Sequence, residues 1–276
     1  MKDINIAFIG GGNMARSLIG GLLDDGIPAE RIWAADPNES VLRSLSDHFA
    51  IHVTTDNNEA MLKAQVLILA IKPQLAKPVV RELAPAIQNS RPLVISIAAG
   101  IREADLRSWL TEDAAIVRTM PNTPALVRSG ASALFANSAV SKEQRNLAES
   151  ILRAVGMTLW VNDESLMDAV TALSGSGPAY FFLIMEALEN AGEHLGLPRE
   201  TARLLTLQTA FGAAKMALES NEDLAELRQR VTSPGGTTEQ AIKVLQQHNL
   251  EAVFDEALSA ARQRSVELAK IFGGNN

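Results

Sequence analysis

At 276 residues, 47% of them apolar, the chain is long enough for two ordinary domains and can fill their cores, which excludes general disorder. Its net charge of −7 argues against a nucleic-acid backbone or an anionic membrane as main partner. The acidity sits late, with 17 acidic against 16 basic residues up to Asp163 and 15 against 9 beyond it. The absence of cysteine excludes disulfides, thiol catalysis and Cys-based metal sites.

The first predicted element is the apolar run Ile4–Ile9, which meets Gly10-Gly11-Gly12-Asn13-Met14-Ala15 and then a helical pattern through Leu18, Ile19, Leu22 and Leu23. A Gly-x-Gly-x-x-Ala turn between a strand and a helix is suited to a dinucleotide. The first glycine makes the sharp turn, the second lets a pyrophosphate approach the backbone, and the small third residue lets helix and strand pack closely. The N–H groups of the helix start then face the phosphate charge. Further strands are predicted at Arg31–Ala35, Ile51–Val53, Gln65–Ile71, Leu93–Ile97, Ala115–Arg118, Ala131–Phe135 and Thr158–Val161, with a helix from about Lys142 to Val155. Strands alternating with helices imply a parallel, doubly wound α/β sheet of Rossmann type, with ligands at the carboxyl ends of the strands. That rule gathers Gly10–Ala15, Asp36, Lys72-Pro73, Ala98–Gly100 and Met120–Pro124 around one crevice.

Beyond Asp163 the strand patterns stop, and the chain is predicted to divide into a dinucleotide-binding domain, 1–163, and an all-α domain, 164–276. One helix opens near Gly177-Pro178 and runs to about Leu195, and another runs from Arg199 to about Leu218. Both are apolar around most of their circumference, which predicts cover on several sides by an oligomer partner, with other helices of the same subunit as the alternative. Two glycine-rich stretches interrupt this part, Leu173-Ser174-Gly175-Ser176-Gly177-Pro178 and Ser233-Pro234-Gly235-Gly236-Thr237-Thr238. Each is read as opening a helix, and Thr237-x-x-Gln240 fits a capping box. Hydroxyls, unobstructed backbone N–H groups and a helix start together suit a small carboxylate, so the pair predicts a substrate pocket; capped turns alone are the plain alternative. His48, His52, His194 and His248 form no metal constellation, and no metal is expected. Lys215 lies mid-helix, where a paired or solvated side chain is the ordinary reading and catalysis the rarer one. The start of the chain shows no basic-then-apolar leader, and the uncharged stretch Ala169–Met185 is broken by Ser-Gly-Ser-Gly-Pro, so a soluble, cytoplasmic protein is expected.

These residues carry a pattern. From Phe8–Met14 through Ala70-Ile71-Lys72-Pro73, Ser96–Gly100, Met120–Pro124, Leu173–Tyr180 and Ala213–Met216 to Ser233–Thr238, the chain resembles the pyrroline-5-carboxylate reductases over essentially its whole length. The two late glycine-rich stretches are the specific ones. The resemblance implies a Rossmann domain followed by a helical domain that builds an intertwined dimer, with decamers as a further assembly. It implies NADPH or NADH as cofactor and 1-pyrroline-5-carboxylate as substrate, reduced to L-proline. By that similarity Gly10, Gly11, Gly12, Asn13 and Met14 hold the pyrophosphate, Asn57 meets the adenosine ribose, and Ala70, Lys72, Pro73, Ala98 and Asn122 line the nicotinamide side. Ser174 and Gly175 join Ser233, Pro234, Gly235, Gly236, Thr237 and Thr238 in holding the substrate, with the Thr238 hydroxyl near the ring nitrogen.

Asp36 stands in tension with that picture. A carboxylate after the second strand accepts from a ribose 2′-hydroxyl and repels a 2′-phosphate, which favours NADH, whereas many members of the family use NADPH. Pro37 can turn Asp36 aside, and Arg43 or Arg31 can compensate. The alternatives are a related imine reductase or hydroxyacid dehydrogenase on the same plan, or a dinucleotide-binding scaffold without chemistry.

Overall fold

The computed structural model describes residues 3–274. Eight strands form one sheet: β1 (Ile6–Ile9), β2 (Ile32–Ala35), β3 (His52–Thr54), β4 (Val66–Leu69), β5 (Leu93–Ser96), β6 (Ile116–Met120), β7 (Gly130–Ala136) and β8 (Gly156–Trp160), in the order β3-β2-β1-β4-β5-β6-β7-β8. The order reverses between β1 and β4, as in a doubly wound fold. The sheet is not parallel throughout, however, because β7 runs antiparallel to β6 and β8 runs parallel to β7. The cause is the connection. Only a 3-10 turn over Thr123–Val127 separates β6 from β7, too little for a parallel crossover. A full helix joins β7 to β8.

Helices cover both faces of the sheet. The helices α1 (Asn13–Asp24), α2 (Glu39–Phe49), α3 (Asn57–Leu62), α4 (Pro73–Ser90), α5 (Glu103–Trp109) and α6 (Lys142–Arg153) each follow a strand. On one face Ile6 and Phe8 pack with Ala15, Leu18, Ile19 and Leu22 of α1 and with Ile151 and Leu152 of α6. On the other, Ala7 and Ile9 pack with Ala76, Val80, Leu83 and Ile87 of α4 and with Leu106 and Trp109 of α5. Alternate residues of one strand therefore feed two separate cores, which explains why β1 and β4 are apolar throughout. In α4 the buried residues recur at helical spacing, and Pro78 and Pro85 sit on the exposed side, where the two missing amide hydrogen bonds face water.

After β8 the described chain is helical: a 3-10 turn at Glu164–Leu166, α7 (Met167–Val170), a π-helical turn at Thr171–Gly175, α8 (Gly177–His194), α9 (Arg199–Glu219), α10 (Leu224–Arg230), α11 (Thr237–Gln247) and α12 (Leu250–Gly273). The change from strands to helices thus falls where the sequence places it, at Asp163. The compact units divide elsewhere. One comprises the residues up to Ser176 together with those from Ala260 on, and the other is Gly177–Ser259. Polar ties explain the difference. Arg118 Nη1 and the Glu103 amide both donate to Glu164 Oε1, at 2.9 and 2.7 Å, and Ser265 Oγ donates to the buried Asp168 carboxylate at 2.6 Å. The segment 164–176 and the end of α12 are therefore fastened to the sheet.

In the second unit α8 packs against α9. Even so, Phe181, Phe182, Leu183, Leu204 and Phe211 remain 61–66% exposed in the single chain. Helices of the same chain do not cover these side chains, so the alternative of cover within the subunit is not found there.

Candidate active site

Strand register brings the predicted cofactor residues to one edge of the sheet. Ile9 pairs with Ala35 and with Leu69, Leu69 with Ser96, and Ser96 with Arg118. The residues that follow these partners are Gly10, Asp36, Ala70, Ile97 and Thr119, and the ladder continues into them: Gly10 donates to Ala35 O at 2.7 Å and Ala70 to Ile9 O at 2.8 Å. Asn57 is the first residue of α3, Lys72 and Pro73 open α4, and Asn122 precedes the turn after β6. Ala98 is buried and donates its amide to Ser96 Oγ at 3.3 Å.

The three glycines of the first turn differ in what they require. Gly10 has φ +99°, and a Cβ there would strike the Ala70 carbonyl of β4, so the position needs glycine for the fold itself. Gly12 has φ −69° and ψ −176°, which any residue adopts, and a Cβ on it would meet nothing within 4 Å. Its glycine is not demanded by packing. Gly12 caps α1 without a side-chain acceptor, and no acidic side chain lies in the first turn. The helix start thus has open space beside Gly12 and no side-chain acceptor at its positive end, which fits a dinucleotide pyrophosphate.

Asp36 is fixed by backbone. Its Oδ2 accepts from the Gly11 amide at 2.8 Å and its Oδ1 from the Asn38 amide at 2.9 Å. The carboxylate therefore ties the turn after β1 to the turn after β2 and holds the Gly11 amide, while each oxygen keeps a lone pair for a ribose hydroxyl. The sequence reading missed this tie, because it pairs residues 25 apart. It also missed Arg16, whose guanidinium reaches across to Ser44 of α2, 2.9 Å from its carbonyl oxygen and 2.6 Å from its hydroxyl.

The two glycine-rich stretches are built differently from what their sequences suggest. The first was expected to open a helix, and α8 does start at Gly177, but the residues before it already form a π-helical turn continuous with α7. The Ser176 amide donates to Thr171 O at 2.9 Å, so this stretch does not offer a row of unpaired amides. What it offers is Ser174. Asn122 Nδ2 lies 3.2 Å from Ser174 O and 3.3 Å from Ser174 Oγ, and Gly175 lets the Met120 side chain lie against the turn.

The second stretch, Ser233–Thr238, lies in the second unit and does end in a helix start. The expected capping box does not form: Gly236, which has no side chain, is the capping residue, Thr237 is already the first helical residue, and no side chain caps the helix. A carboxylate reaches back instead. The Gly235 amide, at φ +73°, donates to Glu239 Oε2 at 2.8 Å, and Lys243 pairs with the other oxygen at 3.2 Å. The Gly235 amide and then Lys243 hold the Glu239 carboxyl below its ordinary range. Lys215 is exposed and pairs with Glu219 one helical turn on, 3.8 Å away, the ordinary reading of such a residue. Among the described residues no group of His, Asp or Glu side chains could hold a metal ion. No described helix is long and apolar enough to cross a membrane.

Residues 164–268 match the family described as pyrroline-5-carboxylate reductase dimerisation, and residues 5–100 match the one described as NADP oxidoreductase, coenzyme F420-dependent. Over 273 residues the chain is 55% identical to a pyrroline-5-carboxylate reductase of Pseudomonas aeruginosa, covering 99% of this chain and all of that one. The chain belongs to the pyrroline-5-carboxylate reductase family. The structure of a pyrroline-5-carboxylate reductase from Coxiella burnetii superposes with a TM-score of 0.93 at 51% identity, covering 97% of this chain and 99% of that one. The Plasmodium falciparum enzyme, solved with NADP bound, gives 0.87 at 29% identity over 98% of this chain and all of that one. The reductase likeness therefore spans the sheet and the helical segment alike.

Proposed function

We propose that this protein reduces 1-pyrroline-5-carboxylate to L-proline with NADPH or NADH, as the last step of proline biosynthesis. The observation that carries the reading is the open, uncapped helix start behind Gly12, found in a chain similar over its full length to reductases named for this substrate. Gly10–Met14 hold the pyrophosphate, Asp36 and Asn57 the adenosine side, and Ala70, Lys72, Pro73, Ala98 and Asn122 line the nicotinamide side. The bound nicotinamide supplies a hydride to the imine carbon. Reduction also requires a proton on nitrogen, and an iminium accepts hydride far better than a neutral imine. A substrate that arrives protonated needs no strong acid from the protein. The tasks left to the protein are to hold the carboxylate, with Ser174-Gly175 and with the Ser233–Thr238 loop of the same or of the partner subunit, to orient the ring nitrogen with the Thr238 hydroxyl, and to exclude water.

In this reading residues 1–163 serve the cofactor, and residues 164–276 bind substrate and join subunits in the cytoplasm. The apolar flanks of α8 and α9 are buried in a homodimer, with decamers as a further assembly. The test is loss of NADPH or NADH absorbance with pyrroline-5-carboxylate, with proline identified as product. Folded protein that binds cofactor but yields no proline would refute the reading. A strictly monomeric mass by light scattering would refute the dimer.

A further inference from the structure

We infer that Asn122, which in the proposed reading lines the nicotinamide side, acts on the reaction through Ser174, as a positioning residue, and not by holding the cofactor. The inference rests on the reading of Ser174 as a substrate ligand. The Asn122 carboxamide is already engaged at both ends. Its Oδ1 accepts from the Ala131 amide at the start of β7, at 2.9 Å. Its Nδ2 donates to Ser174, at 3.2 Å to the carbonyl and 3.3 Å to the hydroxyl. A carboxamide has two donor hydrogens and two acceptor lone-pair sites, and with Oδ1 and Nδ2 both committed within the protein little of it is left to hold a ligand.

The consequence falls on Ser174. Its Oγ receives a hydrogen from Asn122, which turns the hydroxyl proton away from that amide and makes Ser174 a donor towards its open side. A donor is what a carboxylate needs. The π-helical turn fixes where that donor sits. One extra residue between α7 and α8 is absorbed there, closed by the bond from the Ser176 amide to Thr171 O, and Thr171 Oγ1 in turn donates to Met167 O at 2.8 Å. Gly175 lets Met120 lie against the turn, so Met120 at the end of β6 and Asn122 two residues beyond it grip the same five-residue turn. The grip lies wholly within the first compact unit.

The experiment compares Asn122→Asp, Ser174→Ala and the double variant in steady-state reduction of the imine. Asn122→Asp keeps an acceptor for the Ala131 amide, but it removes the donor and draws the Ser174 proton onto itself. Each single variant should raise the KM for the imine on the order of tenfold, while the KM for NADPH moves by less than about twofold. The double variant should be no worse than about twofold beyond the weaker single, because both changes remove one interaction. Ser174→Thr keeps the hydroxyl and should restore most of the affinity. Additive effects, or an effect on the cofactor KM instead, overturn the inference. If Asn122→Asp does not fold, a wild-type imine KM in Ser174→Ala overturns it, and a raised KM with rescue in Ser174→Thr upholds it.

A wild-type protein that turns over no imine refutes the proposed function and leaves the grip to be read by amide hydrogen exchange. Faster exchange at residues 171–177 in Asn122→Asp, with Gly10–Ala15 unchanged, then upholds it, and unchanged exchange at 171–177 overturns it.

Discussion

Gly12 and Gly10 make opposite predictions when each is changed to alanine. At Gly12 the backbone lies in the extended region and an added methyl meets nothing within 4 Å. Alanine is a poorer helix cap than glycine by about 0.5–1 kcal/mol, but it stiffens the unfolded chain by about 0.4–1 kcal/mol, so the two terms nearly cancel. The folded protein should be unaffected. The methyl does, however, stand in the space that a pyrophosphate must enter to reach the opening amides of α1. Losing one hydrogen bond between an amide and a charged phosphate costs about 1.5–3 kcal/mol, or roughly 10- to 150-fold in affinity. At Gly10 the same methyl demands φ +99°, a cost of about 1–2 kcal/mol, and strikes the Ala70 carbonyl, adding about 1–3 kcal/mol of overpacking. Gly10→Ala should therefore lower the melting temperature by on the order of 10 °C. The assay is thermal unfolding beside a fluorescence titration with NADPH. Gly12→Ala with wild-type cofactor affinity, or with a melting temperature as low as that of Gly10→Ala, would refute the assignment of that turn to the cofactor.

Thr238→Ala should lower kcat/KM by one to two orders of magnitude, about 1.4–2.7 kcal/mol of transition-state stabilisation, with stability unchanged; an unaltered kcat/KM removes Thr238 from the mechanism. Asp36→Ser should shift the ratio of kcat/KM values towards NADPH and also destabilise the protein by about 1–3 kcal/mol, because the Gly11 amide loses a charged acceptor, and equal cofactor preference before and after would separate Asp36 from the ribose. Glu239→Gln keeps an acceptor for the Gly235 amide while removing a negative charge beside the predicted carboxylate loop, so the KM for the imine should fall, and a rise would show that the charge orders the loop. At Asp105, burial raises the carboxyl above its ordinary 3.8, against the opposing effects of the Arg102 amide and of the Arg102 and Arg118 charges. A raised folded-state value means that the stability tied to the protonated form is full below 3.8 and is lost as pH climbs through the folded value, so Asp105→Asn should unfold at a higher temperature than wild type at pH 7, with the gap closing in acid. A gap that widens in acid would reverse the sign.

The grouping of the predicted cofactor turns at one sheet edge was legible because its signals are local. Gly10–Ala15 lies between an unbroken apolar run and a 3.6-period pattern, and each of the first six strands ends in a turn whose place on the sheet edge follows from parallel winding alone. The antiparallel turn of β7 was the part that alternation could not supply, since the decisive fact is the short connection after Met120 and not the composition of Ala131–Phe135. The glycine-rich stretches were legible as hydroxyl-bearing and unobstructed, but not in their hydrogen bonds. A Ser-Gly-Ser-Gly-Pro run reads as a break in a helix. Here the break is a π-helical turn, which keeps the helix going through the same residues by pairing amides one residue farther back.

The ties that fasten residues 164–176 were invisible for a different reason: they join polar residues far apart in sequence. Arg118 sits buried in β6 and finds Glu164 46 residues later, and Asp168 meets Ser265 after 97. No periodicity encodes such a pair. Burying a charged pair in a sheet adds little stability over an apolar pair of the same size, so net stabilisation does not account for its placement. Its geometry does: the same Glu164 oxygen that accepts from Arg118 also takes the first amide of α5, fixing the chain just before α7. Four residues on, Asp168 fixes α7 to α12, and six beyond that Asn122 fixes Ser174. With three anchors along a dozen residues, the π-helical turn has one place to form, and the serine hydroxyl it carries is set relative to the strand ends before any ligand arrives.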